Sequence, residues 1–519
     1  MTSLSALRRA ALLALAAATP LAAQSSARLG TISFPTSGAR AAQKPFIRGV
    51  LLLHSFEYED AATAFREAER LDPGFALAYW GEAMTWTHPI WDQQNMDSAR
   101  AVLARLGPTP EQRRAKAPTP RERGYLDAVE ILYGDGTKPR RDTLYSAAMR
   151  RLTDAYPRDL EAKAFYALSL MGLSQGVRNV PTYMRAGALA EDVFLANPDH
   201  PGAAHYIIHA FDDAVHAPLG LRAARAYARI APGAAHAQHM TSHIFVSMGM
   251  WDETVEANVF ALGKDTASYT ANHYSAWLDY AYLQQGRVAK ARSLLETARR
   301  NMGSPPRMHY RWSLMGMRAH YLVAGEQWAD SSLAWTLDTA GIGPVTRAMD
   351  AFALGYAALK RGDRAQVETE QHRLAELAER KANPDEDDGD IQVAAVLDKE
   401  LRAVTSVADG KGEEAVATLR DAATQEEAIP AAFGPPDVVK PAPELLGEVL
   451  LAQGKPAEAQ QAFTRALALA PRRSLSLLGL ARAATAAGDT VVAEQAYADL
   501  RGIWRRADTE VARLLAQGR

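Results

Sequence analysis

Five histidines in this chain carry a spacing on which metal chemistry could be built. His236, His239 and His243 fall at i, i+3 and i+7, one stripe of a helix, and His205 and His209 at i, i+4, also one face. Of the thirteen histidines in 519 residues, seven lie between positions 200 and 243. The two sets are in register: His205 and His239 are 34 residues apart, and so are His209 and His243. Packed helices lie about 8–10 Å apart. Four imidazoles on two neighbouring helices can therefore converge on one ion at about 2.0–2.1 Å, the zinc–nitrogen distance. Imidazole suits zinc, copper, iron or nickel, and the expected ion is copper, zinc or iron.

Asp212 lies three residues after His209 on the same stripe, with Asp213 beside it. Either carboxylate could add a ligand, or accept the second ring N–H of a histidine and fix its tautomer. His216 and His200 bracket this helix in loop-like surroundings, and His273 follows His239 by another 34 residues. The pattern is not that of the zinc proteases. Tyr206, Ile207 and Ile208 separate His205 from His209, so no glutamate stands as a general base between them. Two alternatives stay open: a polar groove that binds a peptide or an anion through histidine without metal, and unrelated structural histidines.

The elements that position these residues can be read from a repeat. In FEYEDAATAFREAERLDPGFALAYW, Tyr58, Ala61, Phe65, Ala68, Leu71, Asp72 and Pro73 make a large–small series ending in a proline stop. PELLGEVLLAQGKPAEAQQAFTRALALAP repeats it with Leu446, Gly447, Gly454, Ala459, Phe463, Ala466 and Pro471. Here the sequence resembles the tetratricopeptide repeat family, 34-residue helix–turn–helix units stacked into a solenoid. Weaker units are anchored at Gly249-Met250-Trp251, Gln285-Gly286-Arg287, Gly325 and Gly488-Asp489. The resemblance implies an all-α, right-handed helical solenoid over most of residues 45–510. Counted from each turn glycine, the five histidines take the second, fifth and ninth places of their units. In this family those places line the concave groove. The same count puts Trp80 at a fifth place and Tyr280 at a ninth, as a groove residue and a phenol behind the ligands. His54 and His88, again 34 apart, extend the groove or only mark the repeat. Trp86 and Trp91 read as core, Met240, Met248 and Met250 as packing, and His320 and His372 as ordinary hydrogen-bonding residues.

Three stretches interrupt the helical pattern. Residues 104–121 read as an exposed, basic connection and 381–390 as an acidic, solvated loop whose glycine is misplaced for a calcium loop. Residues 425–443 form a proline-rich segment that either caps or crosses the groove, or serves as a spacer. The expected division is a signal peptide at 1–23, a histidine-bearing solenoid at 24–380, the acidic loop, and C-terminal helices and repeats at 391–519. Two arginines, a short apolar run and small residues before Gln24 carry the signal reading, and imply export to a periplasmic or extracellular compartment.

Zero cysteines remove disulfides and thiolate chemistry, and a formal charge of −2 spread along the chain speaks against nucleic acid. After the first residues no run is long enough to enter a membrane. A serine-nucleophile elbow, a phosphate loop and a dinucleotide fingerprint are all absent. Three functions remain: a metal-dependent enzyme, an exported scaffold holding a peptide or protein partner, and a metal carrier or sensor.

Overall fold

The computed structural model describes residues 28–174, 178–264, 272–380, 388–430 and 432–515. The proposed signal segment lies outside them. Among the described residues α-helices follow one another from Arg40 to Arg513, and the strand content is one two-residue ladder, Thr87–His88 against Gln93–Gln94. No described helix is long and apolar enough to cross a membrane.

Pairing of the helices follows from turn chemistry. Met250, Arg287, Lys455 and Asp489 each donate their backbone N–H to the carbonyl five residues earlier, at 2.7–2.9 Å. The residue before each donor is a glycine at φ between +64° and +81°. This is the six-to-one bond that closes a helix and reverses the chain, and it needs a left-handed residue, which glycine supplies without a Cβ clash. The large–small code then packs the pairs. A Cβ on Gly81 would lie 2.3 Å from the Phe65 ring and one on Gly49 2.7 Å, so the phenyl seats directly on two helix backbones. Phe463 stands in the same relation to Gly447 and Gly479, at 2.9 and 2.2 Å.

The array folds back on itself. The Arg40–His54 helix packs against the Pro201–Ala210 helix, and the extended residues before it tie down this contact through Thr31 N–H to Asp199 O and Gly233 N–H to Arg28 O, both 2.9 Å. From the other end, Ser474 N–H donates to Gln284 Oε1 and Trp504 Nε1–H to Gln284 O, at 2.9 and 3.1 Å. One buried apolar cluster runs from Leu29 to Phe245 and a second from Leu262 to Ala483, joined by a smaller one around Trp251, Trp277 and Trp504. The surface expected to be an open groove is therefore an interior. Every residue of Pro201–Ala210 is buried, as are residues 236–246 of Ala235–Ser247.

Several expectations about the connections change. Residues 104–121 are not simply an exposed link: Thr109 and Thr119 form capping boxes that start helices at Pro110 and Pro120. Arg113 in that stretch is buried and paired with Glu130. In the acidic stretch, residues 381–387 lie outside the described residues and Asp388 opens a helix to Ala408. The proline-rich segment crosses the histidine region, with Phe433 over two of the rings and Gly434 so near Trp277 that a Cβ would come within 2.6 Å.

Candidate metal centre

Three helices supply six rings. Pro201–Ala210 brings His205 and His209, Ala235–Ser247 brings His236, His239 and His243, and His273 is the first residue of His273–Gln284. His200 caps the first of these helices, its Nδ1 accepting from Ala203 N–H at 3.1 Å. Asn272 caps the third through Ser275 N–H at 3.0 Å. Neighbouring ring centroids are 4.9 Å apart for His205–His209, 5.1 Å for His205–His236, 5.0 Å for His239–His243 and 4.3 Å for His239–His273.

Burial decides the protonation state. Loss of solvent, followed by the neighbouring rings, holds His205, His209, His236 and His239 well below the ordinary imidazole value. Burial and then His243 take His273 down to about 3. A neutral imidazole has one N–H and one lone pair, so the partner of one nitrogen fixes the role of the other. His205 Nδ1–H donates to the His54 carbonyl at 2.7 Å. His239 Nδ1–H donates to Asn258 Oδ1 at 2.6 Å, and the orientation of that amide is set because its Nδ2 donates to Thr254 O. His243 Nδ1 is bound to Asp212 Oδ2, and Ser247 Oγ–H donates to the other carboxylate oxygen at 3.1 Å. His205 and His239 thus turn an Nε2 lone pair into the cluster, and His243 points its Nε2 the same way.

The consequence is a polar interior with missing partners. Nε2 of His205, His209, His236 and His273 is buried without a hydrogen bond. His239 Nε2 and His243 Nε2 face each other at 3.1 Å, while the Nδ1 of each ring is engaged on the far side, by Asn258 and by Asp212. The wall is aromatic: Phe56 lies 4.2 Å from His205, Trp277 4.2 Å from His243, Tyr274 4.7 Å from His239 and Phe433 5.4 Å from His243. Phe56 occupies a turn that the units closing at Met250, Arg287, Lys455 and Asp489 fill with glycine. Its φ is +56° and Glu57 N–H makes the same six-to-one bond to Leu52 O. A bulky residue held left-handed costs about 1–3 kcal/mol, spent here on a ring that seals His205.

Other candidates from the sequence go elsewhere. Asp213 accepts from Val215 N–H, His216 N–H and His216 Nδ1–H at 2.9 Å and pairs with Arg178 at 2.8 Å, so Asp213 and His216 close a loop rather than face the six rings. Arg178 in turn caps the carbonyls of His209 and Ala210. Trp80 is not a groove residue: it is fully buried, edge-on to Phe34, Tyr125 and Phe165, because the N-terminal extended segment lays Phe34 over that face. Trp91, expected in the core, is instead partly buried and edge-on to His236 and His88. His88 stacks on Tyr58 at 3.9 Å and its Nε2–H donates to Thr85 O. The Tyr280 hydroxyl accepts from Arg473 at 3.1 Å and its ring meets Trp251 and His320, none of the six. Asn258, Trp277 and Phe433 were not anticipated. Trp277 had a signal, four residues after His273 on the same stripe.

Residues 450–518 match the tetratricopeptide repeat family. The described residues as a whole are an all-α array of stacked helix pairs, and this C-terminal stretch is the part that carries the family match. Among solved structures it is similar to the human IFIT1 dimer with m7Gppp-AAAA, at 14% identity over 92% of each chain and a TM-score of 0.36. It is also similar to the APC/C hetero-tetramer Cut9-Hcn1, at 10% identity over 92% of this chain and 76% of that one, with a TM-score of 0.35. No curated protein matches.

Proposed function

We propose that this protein binds a transition metal in its histidine interior and that the ion, not a side-chain nucleophile, supplies its chemistry. The first seat is His239, His243 and His273, whose ligand atoms lie within 4.8 Å of one another. The observation that carries this reading is the pair of Nε2 atoms 3.1 Å apart, each on a ring whose Nδ1 is engaged by Asn258 or Asp212. Two lone pairs at that distance repel unless a proton or a cation lies between them, and burial holds the His239 ring well below the ordinary imidazole value. An acceptor behind each ligating imidazole is the arrangement that fixes tautomer and basicity at metal sites. Three nitrogens leave a fourth position for water or substrate, as in catalytic rather than structural zinc sites. Copper, zinc and iron all suit imidazole.

Residues 1–23 are proposed as an export signal, which would place the protein in the periplasm or outside the cell; the mass of the mature protein tests this. A metal-free scaffold that holds a peptide or protein partner is the competing reading, and the repeat family supports it. The experiment that separates the two is elemental analysis of untagged, chelator-naive protein beside the His239→Ala/His243→Ala variant. Stoichiometric copper, zinc or iron that disappears in the variant supports the metal site. No metal in either sample, and none taken up on titration, returns the weight to the scaffold.

A further inference from the structure

The six rings do not make one six-ligand shell. Their nitrogens sort into two groups of three, His239, His243 and His273 in one and His205, His209 and His236 in the other, each with its ligand atoms within 4.8 Å of one another. Resting on the metal reading above, we propose that His205, His209 and His236 form a second seat, so that the protein carries a paired-metal centre with three imidazoles to each ion.

The second seat stands on its own observations. Nε2 of all three rings is buried and unpartnered, on residues no more than 8% exposed. A buried nitrogen left without a partner is destabilising, and three in one group is an improbable accident of packing. His205 is held with its lone pair inward by the His54 carbonyl, a contact that exists because the Arg40–His54 helix returns against Pro201–Ala210. Three nitrogens bound tetrahedrally at about 2.0–2.1 Å lie about 3.3–3.4 Å apart. A group spanning up to 4.8 Å therefore closes by up to about 1.5 Å, which rotation of the three rings has to supply.

The two seats adjoin. His209 and His243, one from each group, share a third such group with Asp212, and their ring centroids are 5.6 Å apart. The three donors of each seat are all imidazole nitrogens, which favours zinc or copper over magnesium, calcium or manganese. With three imidazoles each, both seats would leave a position open for water or substrate, so two bound ions would supply Lewis-acid chemistry side by side.

The test uses untagged full-length protein, stripped with chelator and titrated with zinc ion, with bound metal counted calorimetrically and by elemental analysis. Two equivalents are expected in the wild type, one in His236→Ala, one in His273→Ala and none in the double variant. Far-UV circular dichroism of each metal-free protein checks the fold, and His236→Gln or His273→Gln, which keeps a polar side chain at the same position, replaces the alanine variant that fails it. One equivalent in the wild type that survives His236→Ala overturns the second seat and leaves the metal reading intact. One equivalent lost with His236→Ala but kept in His273→Ala overturns the pair and the first seat together. No binding by the wild type overturns both readings.

Discussion

Two buried histidine sets in this molecule touch each other and differ in one respect. In the first, His54 Nε2–H and His200 Nε2–H both donate to Glu161, at 2.7 and 3.1 Å. The remaining nitrogens accept from the Tyr206 hydroxyl at 2.8 Å and from Ala203 N–H at 3.1 Å. Burial alone would raise the Glu161 carboxyl, but His200 and His54 outweigh it and bring it down to about 2. Nothing is left over. In the second set, six rings end in Nε2 atoms that meet no donor or meet each other. Both sets contain groups of ligand-type atoms within 4.8 Å, so proximity does not distinguish a metal site from a structural knot. The state of the second nitrogen does: a histidine whose two nitrogens are both hydrogen-bonded has no lone pair to give.

The largest effect expected from that contrast is loss of all bound metal from the first seat in His239→Ala/His243→Ala. Glu161→Ala should do the reverse. Removing the acceptor of two buried donors is expected to cost about 2–5 kcal/mol of stability in a urea titration, while metal content per folded protein stays at the wild-type value. A Glu161 variant that folds normally and loses its metal would show that the closed set is part of the site.

Much of this was legible in the letters, for reasons that can be named. Phe65 and Phe463 mark the repeat because a ring seated on glycine backbones leaves little freedom at either position. The 34-residue register of His205/His209 with His239/His243 survives because one unit rise brings equivalent places side by side. What failed was the assumption of an open groove. Trp80 holds a fifth place, but the return of the N-terminal segment sets Phe34 on it and makes it core. Phe433 comes from about 190 residues beyond His243 in a segment with no helical period, so no local pattern announced its ring contact. Asn258 sits on the second helix of its pair, and its role depends on which way His239 turns.

Asp212 tests the link between the orienting groups and the ligands. Asp212→Asn keeps the shape and an acceptor oxygen but loses the charge that holds His243 Nδ1–H. Such orienting partners typically change metal affinity about 10–100-fold, roughly 1.4–2.7 kcal/mol. A competition titration with a chelator of known affinity measures it. If affinity does not move, His243 is not held for metal by Asp212 and the first seat needs another geometry.

The smallest expected effect is also the most direct check that the rings are neutral. His273 keeps its folded value near 3, whereas an unfolded histidine titrates near 6.5. Below about 6.5 the unfolded state therefore binds the extra proton and the folded state does not, so this ring's contribution to stability falls as pH falls toward 3 and is flat above about 7. Between pH 6.5 and 5.5 the loss from one ring is about 1 kcal/mol. His273→Gln cannot take the proton, so the gap in unfolding free energy between it and the wild type should shift by that amount in the variant's favour over this interval, in metal-free protein. His239 and His243, 4.3 and 6.0 Å from His273 by ring centroid, remain in both proteins, which is why the difference and not either slope is the quantity to read. A gap that does not change with pH would mean that His273 is already charged in the fold, and a charged ring there would speak against a lone pair waiting for an ion.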